Sequence, residues 1–69
     1  MPLTMAGAGE SATILRVGGN SEVRHHLENL GLVEGSSVTV VSVAGGNVIV
    51  NVKESRIAIS REMANKIMV

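Results

Sequence analysis

Val23-Arg24-His25-His26-Leu27-Glu28-Asn29-Leu30-Gly31-Leu32-Val33-Glu34-Gly35 runs straight into Ser36-Ser37-Val38-Thr39-Val40, and this junction decides the fold. Val23, Leu27 and Leu30 recur at i, i+4 and i+7, which puts three apolar side chains on one face of a short helix. Gly31 is expected to stop that helix, because only a residue without a Cβ takes the left-handed C′ conformation cheaply. Gly35 allows a second sharp turn four residues later. Val38 and Val40, with Ser42 next in the alternation, then fall on one face of a strand. Leu27 and Leu30 are therefore the expected anchors of the helix, and Gly31 and Gly35 the expected hinges of the turn. A small amphipathic helix passing in one turn into a β-meander is an architectural signature. It carries no reaction chemistry.

Working outward, Ala12–Val17 reads as a first strand, and Gly18-Gly19-Asn20-Ser21 as a loop in which Asn20 or Ser21 caps the helix. Glu22 in the first turn suits the positive end of the helix dipole. Ser37–Val43 is a second strand, Gly45-Gly46 a tight hairpin turn, and Asn47–Val52 a third strand whose Val48, Val50 and Val52 make one apolar face. Arg56–Ile59 is a fourth strand with Ile57 and Ile59 on one side. Ser60 can cap a helical turn that sets Met63 and Ile67 at i, i+4, and Ile67–Val69 can add a fifth, closing strand. A flat sheet this short would leave valines wet and two edges open, so a small, partly open all-β barrel is expected.

Composition sets limits on both core and function. At 69 residues the chain is read as one domain, 1–69, with a thin core, since domains of this size bury only about 60% of their unfolded surface. There are no aromatic residues, so that core is expected to use the valines, isoleucines, leucines and the four methionines. No cysteine is present, which removes disulfides and thiolate metal ligation and suits the cytosol. The six Lys and Arg balance six acidic residues, and no basic cluster or aromatic stacking platform exists to hold nucleic acid. Met1–Gly9 lacks the basic and apolar regions of a secretory signal, and no apolar run approaches the roughly 18–20 residues of a membrane span. A soluble protein with no direct membrane insertion is expected.

Leu30-Gly31-Leu32 followed by Gly35, Val38 and Val40 resembles the core motif of the FeoA family, small cytoplasmic proteins of bacterial ferrous iron uptake. The ending Ala58-Ile59-Ser60-Arg61-Glu62-Met63-Ala64-Asn65-Lys66-Ile67-Met68-Val69 is similar to that family's last strand, helical turn and closing residues. The likeness runs from about Leu3 to Val69. Two loops depart from the family pattern: Ala44-Gly45-Gly46-Asn47, where many members have a proline, and Lys53-Glu54-Ser55, where many have a glycine. The resemblance implies an SH3-like barrel of about five strands, with one short helix between strands 1 and 2 and a helical turn before the last strand. It also implies a cytoplasmic adaptor that contacts the FeoB membrane transporter near its GTP-binding domain and modulates uptake.

The residues themselves offer little chemistry of their own. His25 and His26 are adjacent, so on a helix their imidazoles point about 100° apart. Glu22 and His26 are an i, i+4 pair and the only candidate metal ligands, two where stable zinc sites use three or four. A solvated Glu–His pair is the favoured reading, and no cofactor is expected. Arg24 and Glu28 form a second i, i+4 pair, in the order less favourable to the dipole. No Gly-Lys-Ser/Thr follows any glycine pair, so there is no phosphate cradle. With no Asp and no Cys, no catalytic set can be assembled, and an enzyme is not expected. The lack of aromatics also rules out the ring-lined groove with which SH3 domains bind proline-rich peptides. Partner contacts are expected at Val33 in the glycine turn, at Met68 near the end of the sequence, and at Arg24 and His25 as a polar rim. The alternatives are a transition-metal-binding module, akin to an iron carrier or to the C-terminal SH3-like domain of metal-dependent repressors, and a homo-oligomerising barrel.

Overall fold

The computed structural model describes all residues, Met1–Val69. It contains six strands and two helices: β1 (Ser11–Thr13), β2 (Arg16–Val17), α1 (Ser21–Asn29), β3 (Ser37–Ala44), β4 (Asn47–Val52), β5 (Ser55–Ser60), α2 (Arg61–Ala64) and β6 (Ile67–Met68). A 3-10 turn, Leu3–Met5, precedes them. The strands form a four-stranded antiparallel sheet in the order β1-β3-β4-β5 and a two-stranded ladder of β2 with β6, extended by a bridge from Pro2 to Met68.

The expected first strand is divided between these two sheets. Ile14 still pairs with the β3 side, donating its N–H to the Ser36 carbonyl at 2.9 Å and accepting from the Gly35 N–H at 2.8 Å. Leu15 instead donates to Met68 at 2.8 Å, and Gly18 to Lys66 at 2.7 Å. The chain therefore changes partner between Ile14 and Leu15, and this corner closes the barrel. Burial follows the break: Ile14 is 1% exposed and Leu15 is 66% exposed. The sequence reading of one strand over Ala12–Val17 missed the corner because both residues are apolar β-formers.

The β3–β4 hairpin carries a second irregularity. Val38 faces Val52 and Val40 faces Val50, but Ser42 faces Ile49, so Val41 is a one-residue bulge. The bulge reverses the alternation, and Ser42 lies on the sheet face opposite Val38 and Val40 instead of continuing their row. β4 follows simple alternation, with Val48, Val50 and Val52 buried, and β5 presents Ile57 and Ile59 to the same interior.

The core is a cluster of thirteen buried aliphatic residues, into which the 3-10 turn inserts Leu3. None of the methionines is among the thirteen, although Met63 packs against them. Met1 and Met5 are exposed, and Met63 and Met68 are only partly covered. Near the C-terminal end, Ser60 caps α2 by accepting the Met63 N–H at 3.1 Å, as its sequence position suggests. The helix then ends at Ala64, so Met63 and Ile67 are not helical neighbours. Ile67 belongs to β6, where it is fully buried.

Candidate functional site

Helix α1 is held at both ends by its own sequence. The Asn20 side chain accepts the Val23 N–H at 2.9 Å, satisfying one of the unpaired amides of the first turn. At the other end Gly31 adopts φ 93° and donates to the Glu28 carbonyl at 2.9 Å, while Leu32 donates to Leu27 at 3.0 Å. Leu27 is completely buried, and Val23 and Leu30 pack partly covered beside it. Arg24, His25 and Glu28 consequently lie on the exposed side of the helix.

The turn after the helix folds back beside that exposed side. Val33 donates to Gly31 at 3.1 Å and accepts from Ser36 at 3.1 Å, and Gly35 takes φ 86°. The result is a groove of about 420 Å³ lined by Val17, Arg24, Glu28, Val33 and Glu34. Val17, only 8% exposed, and half-buried Val33 are its apolar surfaces. None of the side-chain hydrogen bonds involves Arg24, Glu28 or Glu34, so all three charges keep their full capacity for an external partner.

The structure brings two of the four expected partner residues, Arg24 and Val33, into one groove. His25 is exposed on α1 and lines no groove. Met68 lies on β6 between Arg16 and Pro2, on the face of that ladder opposite Val17 and Ile67. Val17 and Glu34 were not picked out from the sequence, because only the folded chain brings position 17 beside position 34. Glu28 was visible only as the i, i+4 partner of Arg24.

A second, more open groove of about 370 Å³ is lined by Glu22, Val23, His26 and Met63. It unites the two candidate metal ligands and adds a thioether from α2. No group of three or more His, Cys, Asp or Glu side chains converges anywhere in the fold, so the residues do not compose a closed zinc site. No polar or charged side chain is buried.

The fold and grooves define a class, a small antiparallel barrel with a helix packed on its surface and a concave, charged surface beside it. A match to the FeoA domain family covers residues 1–69, and the chain belongs to that family. It is 35% identical over 68 residues to a putative Fe(2+) transport protein A from Methanocaldococcus jannaschii, covering 99% of this chain and 83% of the relative. A crystal structure of an iron uptake regulatory protein (FeoA) superposes with a TM-score of 0.92 at 27% identity, covering 100% of this chain and 93% of the other. Stenotrophomonas maltophilia FeoA, a prokaryotic SH3 domain protein solved with zinc, gives 0.86 at 28% identity, covering 100% and 88%. The barrel is thus SH3-like. A manganese-dependent transcriptional repressor shares the fold, with a TM-score of 0.88 at 16% identity over 97% of this chain and 39% of that one. The family is associated with ferrous iron transport and is not a known enzyme family. No helix is long and apolar enough to cross a membrane.

Proposed function

We propose that this chain is a cytoplasmic, non-enzymatic accessory protein of ferrous iron uptake. It acts as a single SH3-like domain over 1–69 that binds a FeoB-type GTPase-transporter at its cytoplasmic G domain or the adjoining region and modulates it. The observation that carries this reading is the groove between α1 and the Gly31–Gly35 turn, where Arg24 and Val33 meet on a barrel that belongs, over its whole length, to an iron-transport family. The Stenotrophomonas relative is itself described as a candidate activating factor of ferrous iron transport. Arg24 and Val33 are the proposed contact residues, with His25 next along the helix as rim.

The test is direct association of the purified protein with the cytoplasmic part of the cognate transporter and with the full transporter in detergent. Saturable binding is expected. No binding to either form would refute the adaptor role.

A second reading is a transition-metal-binding module. It is supported by the shared groove of Glu22, His26 and Met63 and by the fold held in common with a manganese-dependent repressor. Titration with Fe²⁺ or Mn²⁺ separates the two, since one equivalent bound at sub-micromolar affinity and lost in His26→Ala would favour the module.

A further inference from the structure

We propose that the groove lined by Val17, Arg24, Glu28, Val33 and Glu34 receives a basic side chain, lysine or arginine, projecting from the partner's surface. The inference rests on the accessory-protein reading and specifies the chemistry of the contact. Two carboxylates, Glu28 and Glu34, and one guanidinium, Arg24, line the groove, leaving an excess of one negative charge. Arg24 precedes Glu28 by four residues on α1, the order in which a helical ion pair is weaker. The two side chains are not hydrogen-bonded to each other or to any other group. Glu34 reaches the groove from the opposite bank, on the turn before Gly35.

Covering this groove therefore has a definite electrostatic consequence. A carboxylate taken out of water without a compensating donor is strongly disfavoured. A partner that seals the groove must bring at least one cation, and an acidic surface is repelled by the excess charge. The apolar surfaces complete the complementarity. Val17 and Val33 line the same groove as the charges and can pack against the methylene stem of a lysine or arginine while its head reaches the carboxylates. The guanidinium of Arg24, exposed on α1, then stays in water at the rim. Charge complementarity of this kind selects the partner and speeds its encounter.

The experiment uses the folded protein and the isolated G domain of the cognate transporter. Binding is measured by titration calorimetry at low salt, with amide chemical shifts of the labelled protein recorded in parallel. Glu28 and Glu34 are both exposed, so Glu28→Gln/Glu34→Gln is expected to stay folded, which circular dichroism verifies. It should bind at least tenfold more weakly than wild type, whereas Arg24→Gln should bind as tightly or more tightly. Shift changes should centre on Glu28, Val33 and Glu34. The proposal is overturned if the double variant binds within twofold of wild type, or if Arg24→Gln loses as much affinity, which would mark an acidic partner. Binding with shifts confined to another face overturns this site while leaving the accessory role intact. Absence of wild-type binding to the G domain and to the full transporter alike overturns both.

Discussion

Leu32 returns its amide to the carbonyl of Leu27 across 3.0 Å, and both side chains are fully buried. With the Gly31 amide on Glu28 at 2.9 Å, this is the double hydrogen bond of a Schellman helix ending. The apolar contact that normally accompanies it, between the third residue from the helix end and the second beyond it, here belongs to the main core. One motif therefore ends the helix, fixes its angle on the barrel and aims Val33 and Glu34 at the groove.

Leu27→Ala and Leu32→Ala should each cost about 2–5 kcal/mol, the usual range for emptying a buried leucine site. Leu30 is only partly buried, so Leu30→Ala should cost about 1 kcal/mol, well below either neighbour. For a domain this small, 1 kcal/mol corresponds to roughly 4–8 °C in melting temperature. Thermal melts followed by circular dichroism check the order. A Leu30→Ala variant that melts as low as Leu32→Ala would refute this account of the helix ending.

At Gly31 the demand is conformational. A Cβ placed there would meet Lys53 Cδ at 3.5 Å, an ordinary contact, but the backbone sits at φ 93°. Gly31→Val should therefore destabilise by about 1–3 kcal/mol, the cost of a left-handed β-branched residue. Gly31→Asn should lose less, since asparagine tolerates positive φ. Equal melting temperatures for the two variants would show that crowding, not φ, is the constraint.

Much of this architecture is legible in the residues, for identifiable reasons. The helix has its i, i+4, i+7 pattern, its Asn20 cap and its stop glycine within twelve residues. β4 alternates valine and polar or isoleucine positions without interruption. What is not legible depends on contacts between distant parts of the chain. The corner at Ile14-Leu15 arises because successive residues pair with β3 and then β6, and nothing local distinguishes two aliphatic neighbours. Leu3 is core only because the 3-10 turn folds back to the barrel, and Val41 bulges where the pattern of β-formers continues unbroken. The groove is partly readable: Arg24, Val33 and Glu28 lie in the motif itself, whereas Val17 joins them only through the fold.

The β4–β5 hairpin contains strain that substitution should relieve. Its two-residue turn, Lys53-Glu54, has φ values of 49° and 66°, the paired positive angles that such tight turns favour and that Asn-Gly adopts best. Left-handed backbone costs an ordinary residue roughly 1–2 kcal/mol. Lys53→Asn/Glu54→Gly should thus raise stability by about 1–2 kcal/mol, read as a higher midpoint in urea at unchanged slope. A lower midpoint would mean that the lysine and glutamate side chains contribute contacts that outweigh the strain.

Removal of metal should leave the fold untouched. The thirteen-residue core is entirely aliphatic, and the Glu22–His26 groove offers one carboxylate, one imidazole and one thioether, short of a closed ligand set. Proton–nitrogen spectra in excess chelator are expected to keep their dispersion and peak positions. Collapse of the dispersion would establish a structural metal.

Val33 and Met68, both candidates from the sequence for an apolar contact, now make opposite predictions. Val33 forms an apolar surface of the charged groove, whereas Met68 lies on the face of the β2–β6 ladder opposite Val17. If the partner occupies the groove, Val33→Lys should block it twice over, by filling the space and by placing a cation where one is to be received. The expected loss of affinity for the transporter's G domain is at least tenfold. Met68→Glu should bind within twofold of wild type, because that face takes no part. Both residues are only partly buried, so circular dichroism must first show each variant folded. The reverse result, loss with Met68→Glu and none with Val33→Lys, would move the contact to the β2–β6 ladder and remove the groove from the interface.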